Sequence, residues 1–251
     1  MLETLINHFI YYPERHWIAT PADLGLNAGD IFLMPEPGVQ LHAWFFAHPE
    51  PLATLLFCHG NAGNVSHRLE NVAHLLRTGF QVLLFDYRGY GHSSGQPSEQ
   101  GLYRDAATAW AHLVERADTV GAPRLIFGRS LGGAVAVDLA TRAEADGLII
   151  ESTFTSVRAL TRLVFPLPLP ALPVKYDSLS KIGRIEMSLL VIHGEQDELV
   201  PFAEGRALFE AALEPKSWYP IPAAGHNDTY LVGGKAYFRR LATFASDLSE
   251  D

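Results

Sequence analysis

From residue 54 onward, apolar residues come in short continuous runs: 54–58, 82–85, 125–127, 148–150 and 189–192. Runs of this length without alternation suit strands covered on both faces, as in a parallel sheet. Between them lie stretches with helical spacing near 66–77, 99–117, 131–144 and 202–213. Strand and helix in alternation predict a doubly wound α/β sheet whose strand-exit loops gather along one edge, where ligands bind. Upstream the rhythm differs. Residues 13–50 alternate polar and apolar, and Ile31-Phe32-Leu33 and Leu41-His42-Ala43-Trp44-Phe45-Phe46 predict an antiparallel hairpin. The expected architecture is a mostly parallel sheet with an antiparallel N-terminal hairpin and helices on both faces. It forms one domain over 1–251, without internal repeats.

Two stretches depart from this pattern. From Phe154 to Ile185 the alternation stops, and Pro166, Pro168, Pro170 and Pro173 fall within eight positions, which forbids a regular helix there. This segment predicts a short lid-like insert at about 154–185 that roofs a pocket with Phe154, Phe165 and Leu167; the alternative is a rigid surface crossing. At the N-terminus, Leu2, Leu5, Ile6, Phe9 and Ile10 form an apolar stripe at helical spacing. A terminal helix docked on the domain is expected. Peripheral membrane contact is the sharper alternative, weakened because Glu3, Asn7 and His8 put no Lys or Arg on the polar face.

Composition narrows the function classes. A formal net charge of −9 argues against a nucleic-acid partner. No run reaches the roughly 18 apolar residues of a membrane span, and no basic start or cleavage site marks a signal peptide. The lone Cys58 sits inside an apolar run and suits the core of a chain in a reducing compartment, here the cytoplasm.

The chemistry lies at the predicted strand ends. Gly128-Arg129-Ser130-Leu131-Gly132 sits between the strand at 125–127 and a small-residue helix, where a nucleophile elbow belongs. Such a turn strains the serine backbone and brings strand and helix together, so side chains at 128 and 132 would collide. A serine hydroxyl also needs a base and an orienting partner for that base. Asp197 follows the strand at 189–192 and His226 follows the strand-like run at 218–221, which gives the chain order Ser, Asp, His. His226 is expected to take the Ser130 proton and Asp197 to hold the His226 tautomer. The oxyanion donors are expected to be the backbone N–H groups of Leu131 and of Asn61, the latter in the glycine-rich turn after the strand at 54–58.

There are eleven histidines, so rivals need weighing. His59 and His193 precede glycines at strand ends and are expected to brace loops, and His92 to be solvated or structural. His67, Glu70 and His74 could share a helix face as metal ligands, but no fourth ligand is identifiable, and no metal is expected. Glu151 is the rival acid. It is expected to brace neighbouring loops, with Asp197 preferred as the partner of His226.

Taken together, His59-Gly60-Asn61-Ala62-Gly63-Asn64, Asp86-Tyr87-Arg88-Gly89-Tyr90-Gly91, Gly128 to Gly133, Glu151 to Ser156, His193-Gly194 through Val200-Pro201, and Gly225-His226-Asn227-Asp228 resemble the Bem46-like branch of the α/β-hydrolases. That branch includes the α/β-hydrolase-domain proteins 13 and 17. The resemblance covers about residue 54 to the C-terminus, including the Gly233-Gly234 step and the helix after it. It implies an α/β-hydrolase fold and an esterase-like serine hydrolase with neither metal nor organic cofactor. The substrate implied is a small-molecule ester or thioester, because some relatives resemble protein depalmitoylases. Two departures stand out. Ser188 replaces a frequent proline, and the stripe at 2–10 is shorter than the membrane anchor common in relatives, so the chain is expected to be a soluble member or a trimmed one.

The leading expectation is a carboxylesterase working through an acyl-Ser130 intermediate on short to medium acyl chains. An acyl-protein thioesterase is the alternative. A peptidase or amidase lacks a gating domain, an acyltransferase lacks a lid large enough to exclude water, and an idle binding protein has no need of the Ser130, Asp197, His226 set.

Overall fold

A computed structural model of the chain describes residues 10–164 and 175–249. The hairpin becomes β1 (Gly29–Glu36) and β2 (Val39–Phe46), the five apolar runs become β3 (Ala53–Cys58), β4 (Phe80–Phe85), β5 (Arg124–Arg129), β6 (Gly147–Glu151) and β7 (Ser188–Gly194), and the run at 218–221 becomes β8 (Lys216–Ile221). The helices are α1 (Leu69–Arg77), α2 (Glu99–Glu115), α3 (Leu131–Ala140), α4 (Val157–Val164), α5 (Leu179–Ile182), α6 (Phe202–Ala211) and α7 (Thr229–Asp247). Among the described residues the strands form one sheet in the order β1-β2-β4-β3-β5-β6-β7-β8. The β1/β2 and β2/β4 pairs are antiparallel, and every later pair is parallel.

Alternation within each strand sends side chains to two cores. In β3, Leu56 and Cys58 join the core shared with α2, α3 and α6, whereas Leu55 and Phe57 join the core shared with α1 and α7. Each fully buried Leu, Ile or Phe in these layers contributes about 1.5–3 kcal/mol over exposure. The helix at the centre, α3, has no polar face to spare: all ten of its residues are buried. Nine of the ten are apolar or glycine, as such a position requires, and the exception, Asp138, pairs with Lys181 Nζ at 2.7 Å and Arg142 Nη1 at 2.6 Å.

Residues 157–164 differ from the insert expected there, because they form the regular helix α4. Val157, Leu160 and Thr161 share one face at i, i+3, i+4 spacing, and the prolines that forbid a helix begin only at Pro166. The proline run, with Phe165 and Leu167, lies outside the described residues, as does the stripe at 2–9. Among the described residues no helix is long and apolar enough to cross a membrane.

Upstream of the hairpin, residues 10–16 run along the sheet edge as a strap. Pro13 bridges Gly63, Glu14 N donates to Gly63 O at 3.1 Å, and Gly63 N donates to Tyr12 O at 3.3 Å.

Candidate active site

The serine turn is as tight as its glycines suggest. Ser130 stands between β5 and α3 with φ 55° and ψ −121°, a conformation that non-glycine residues adopt only at a cost of about 1–3 kcal/mol. A Cβ at Gly128 would lie 2.3 Å from Gly132 O, and one at Gly132 would lie 2.0 Å from Cys58 O. Strand and helix touch through those two positions. The Ser130 backbone is pinned from three sides: its N donates to Glu151 O at 2.9 Å, and its O accepts from Gly133 N at 2.9 Å and Thr153 Oγ1 at 2.7 Å.

The turn presents Ser130 Oγ to His226 Nε2 at 3.0 Å. On the other side of the ring, Nδ1 lies 2.8 Å from Asp197 Oδ2 and 3.0 Å from Oδ1. A carboxylate can only accept, so Nδ1 carries the hydrogen and the Nε2 lone pair faces the serine hydroxyl. His226 is also fixed through its backbone, its N donating to Glu198 Oε2 at 3.1 Å and its O accepting from Arg129 Nη2 at 2.7 Å. Asp197 Oδ1 accepts from Leu199 N at 3.0 Å and Val200 N at 2.7 Å. Burial on its own would raise the Asp197 pKa, but hydrogen bonds from His193 and His226 outweigh it and hold the carboxyl well below the usual range.

The rival residues have other partners. Glu151, fully buried at the end of β6, accepts from Thr229 Oγ1 and Tyr237 OH, each at 2.5 Å, and pairs with Arg129 Nε at 3.0 Å. It ties α7 to the elbow. His193 Nε2 sits 2.9 Å from Val200 O and 3.4 Å from Asp197 Oδ2, bracing the acid loop. His59 Nδ1 bonds Gly60 O at 2.7 Å, and burial pushes its pKa down to about 3, so it stays neutral. His92 is exposed and stacks on Trp17 at 3.7 Å. His67 faces Glu14 at 3.5 Å while His74 stacks on Phe238 at 5.1 Å, so the two do not converge. Among the described residues no group of three or more His, Cys, Asp or Glu could hold a metal ion.

The loop after β3 packs directly on Ser130: a Cβ at Gly60 would be 3.5 Å from Ser130 Cβ. Asn61 holds this loop with its side chain, accepting from Tyr90 OH at 2.8 Å and Tyr12 N at 3.2 Å and donating to Ile10 O at 2.5 Å. Asn64 does the same for the strap, donating to Glu14 O at 3.0 Å and His16 O at 2.8 Å.

A pocket of about 1040 Å³ opens over Ser130, His226 and Leu131. Phe154, Val157, Leu160, Leu199 and Ile10 give it an apolar wall, and Arg68 and Glu14 lie on its polar side. Of the three residues expected in a pocket roof, Phe154 lines this pocket, and Phe165 and Leu167 lie outside the described residues. The strap, Arg68 and Arg129 were missed by sequence reasoning. Arg129 occupies the free position of the glycine-serine motif, and no local signal shows that it holds His226 from 97 residues away.

This sheet order, with the serine turn after β5, defines an α/β-hydrolase. The chain belongs to the family described as serine aminopeptidase, S33, which matches residues 49–177. Over 249 residues it is 33% identical to the protein bem46 of Schizosaccharomyces pombe, covering 93% of this chain and 82% of that protein. It is 37% identical over 255 residues to the α/β-hydrolase domain-containing protein WAV2 of Arabidopsis thaliana, covering 92% and 82%. Among solved structures, the Pyrococcus furiosus esterase Pf2001 superposes with a TM-score of 0.79 at 21% identity, covering 95% of this chain and 99% of that one.

Proposed function

We propose that the protein is a serine hydrolase of carboxylic esters, with Ser130 as nucleophile, His226 as base and Asp197 as its orienting acid. The observation that carries this reading is the unbroken hydrogen-bonded chain from Ser130 Oγ through His226 to Asp197 at the floor of the pocket. Ser130 Oγ attacks the ester carbonyl carbon while its proton passes to His226 Nε2. The Asn61 and Leu131 backbone N–H groups receive the oxyanion, helped by the positive end of α3. Collapse transfers the proton to the leaving alcohol and leaves acyl-Ser130, which water cleaves by the same steps in reverse roles. The whole chain, 1–251, acts as a single domain in this reading, with Phe154 and α4 covering the pocket.

A serine aminopeptidase would have to hold the free ammonium of a peptide. Among the described residues lining the pocket, Glu14 is the sole carboxylate, and it faces His67, while Arg68 and Arg129 add positive charge. That balance favours an ester over a peptide N-terminus.

The experiment is a series of nitrophenyl esters from acetate to palmitate, with matching acyl thioesters, below micelle-forming concentrations. Each CH₂ buried against the Phe154 side contributes about 0.8 kcal/mol, roughly fourfold in kcat/KM, until the wall ends. The expected profile peaks between about C2 and C8. A steady rise through palmitate, or a preference for the thioester, would transfer the assignment to the depalmitoylase-like alternative.

The pH profile provides a second test. The base works only when neutral, so kcat/KM falls on the acid side. Asp197, held below its ordinary range, stays ionised throughout. The acid limb is therefore expected to have unit slope on a logarithmic plot, one proton for one histidine. A flat limb down to about pH 4.5, with the fold intact, would exclude a histidine base.

A further inference from the structure

Arg68 is the last residue of the short 3₁₀ turn Val65–Arg68 that leads into α1, and its side chain lines the pocket. The guanidinium turns back toward the oxyanion loop, where Nη2 donates to Ala62 O, one residue beyond Asn61. Nothing else among the described residues bonds it. Its Nε is buried without a hydrogen-bond partner. Among the described residues it has no carboxylate within ion-pair distance, although six other arginines do: Arg88, Arg104, Arg116, Arg129, Arg142 and Arg206.

The surroundings do not make up the missing charge. Arg129 is also positive and is already matched by Glu151. Glu14, on the same pocket wall, faces His67 at 3.5 Å, and Glu70 accepts from Tyr230 OH at 3.3 Å. Asp86 lies beneath the loop, but burial pushes its pKa up to about 7, so it is only partly ionised at neutral pH. Burial, and then Arg129, lower the Arg68 pKa to about 10, which still leaves it fully protonated. In a chain of net charge −9, a cation without a counter-ion in the wall of the reaction pocket is out of balance. Arg68 is half-buried with its Nε shut off from solvent, and a cation held that way without a counter-charge is more costly than one in open water.

We infer that Arg68 is a substrate-binding residue that neutralises a second, anionic group, a carboxylate or phosphate, carried by the ester. The substrate class is then an ester with an apolar part against Phe154, Val157 and Leu160 and a negatively charged group on the oxyanion-loop side. A guanidinium suits both anions, since its planar N–H fork matches their paired oxygens. The inference rests on the ester-hydrolase reading above, but it is tested by binding, which needs no turnover.

The experiment uses calorimetry on the Ser130→Ala protein with two pairs of probes. One pair is the 4-nitrophenyl monoester of glutaric acid against 4-nitrophenyl hexanoate, with the charge on the acyl side. The other is 1-butyryl-glycerol-3-phosphate against 1-butyryl-glycerol, with the charge on the alcohol side. In at least one pair the anionic member is expected to bind about tenfold or more tightly, consistent with charge-assisted hydrogen bonds. The responding pair identifies the side. Adding Arg68→Met is expected to bring that ratio to about one, and Arg68→Lys to keep part of it. Equal binding within both pairs overturns the inference, as does an Arg68→Met effect that is the same for charged and neutral members, since Arg68 would then only shape the loop. If Arg68→Met does not fold, the ratio in the Ser130→Ala protein must shrink between about 0.05 and 0.5 M salt, and a salt-independent ratio overturns the inference instead. Hydrolysis of the probes by Ser130→Ala would refute the nucleophile assignment separately, and the binding ratio would still report on Arg68.

Discussion

Replacing Ser130 with alanine is expected to lower kcat for nitrophenyl ester hydrolysis by on the order of 10⁶, leaving only the rate that binding and the oxyanion donors sustain. The size of the loss follows from the geometry. Ser130 Oγ is the atom that His226 Nε2 faces at 3.0 Å, and no other hydroxyl bonds that nitrogen among the described residues. The substitution removes one oxygen and leaves the backbone alone. Ser130 N, bonded to Glu151 O, and Ser130 O, bonded to Gly133 N and Thr153 Oγ1, keep their partners, so the elbow holds its shape at φ 55°. Alanine is no worse than serine at positive φ, and thermal unfolding is expected within a few degrees of the parent. The check is purified-variant kinetics together with labelling by a fluorophosphonate, which must modify the parent and not the variant. Retention of more than a few per cent of activity would sink the assignment.

Asp197→Asn is expected to lower kcat by roughly 10⁴. An amide in place of the carboxylate can present its NH₂ to His226 Nδ1, which stabilises the opposite tautomer and turns an N–H toward Ser130. The imidazolium formed during attack also loses its counter-charge. The carboxylate stabilises the fold as well: its folded pKa lies below its unfolded value, so this contribution is present above about pH 4 and is lost as pH falls below it. Asparagine forgoes the charge but keeps an oxygen for Leu199 N and Val200 N, so the loop is expected to hold. The comparison variant is Glu151→Gln. It weakens the buried pair with Arg129 and the bonds from Thr229 and Tyr237, so it is expected to cost about 1–3 kcal/mol of stability and less than tenfold in kcat. A larger kcat loss for Glu151→Gln than for Asp197→Asn, at unchanged melting temperature, would reverse the roles of the two acids.

The sequence alone determined the sheet and the position of the serine turn, because both are written in local pattern. Doubly covered strands read as continuous apolar runs, and β3, β5, β6 and β7 emerged within one or two residues of those runs. The glycines at 128 and 132 mark a steric need of a few neighbouring atoms, visible as a spacing. Helix α4 is hard to see in the sequence because its short apolar spacing runs straight into prolines that forbid a helix. What only the tertiary structure decided was which side chains face one another. Glu151 ends β6 and Asp197 lies in the loop that leaves the neighbouring parallel strand β7, yet one carboxylate turns to Tyr237 in α7 and the other to His226. That choice depends on the direction each side chain takes from its strand and on the helix packed against it. The strap from Ile10 to His16, clasped by Asn61 and Asn64, joins residues about fifty positions apart, and Arg129 reaches His226 across 97. The charge of Arg68, unmatched among the described residues, is of the same kind, since it becomes visible only when neighbours distant in sequence are brought together.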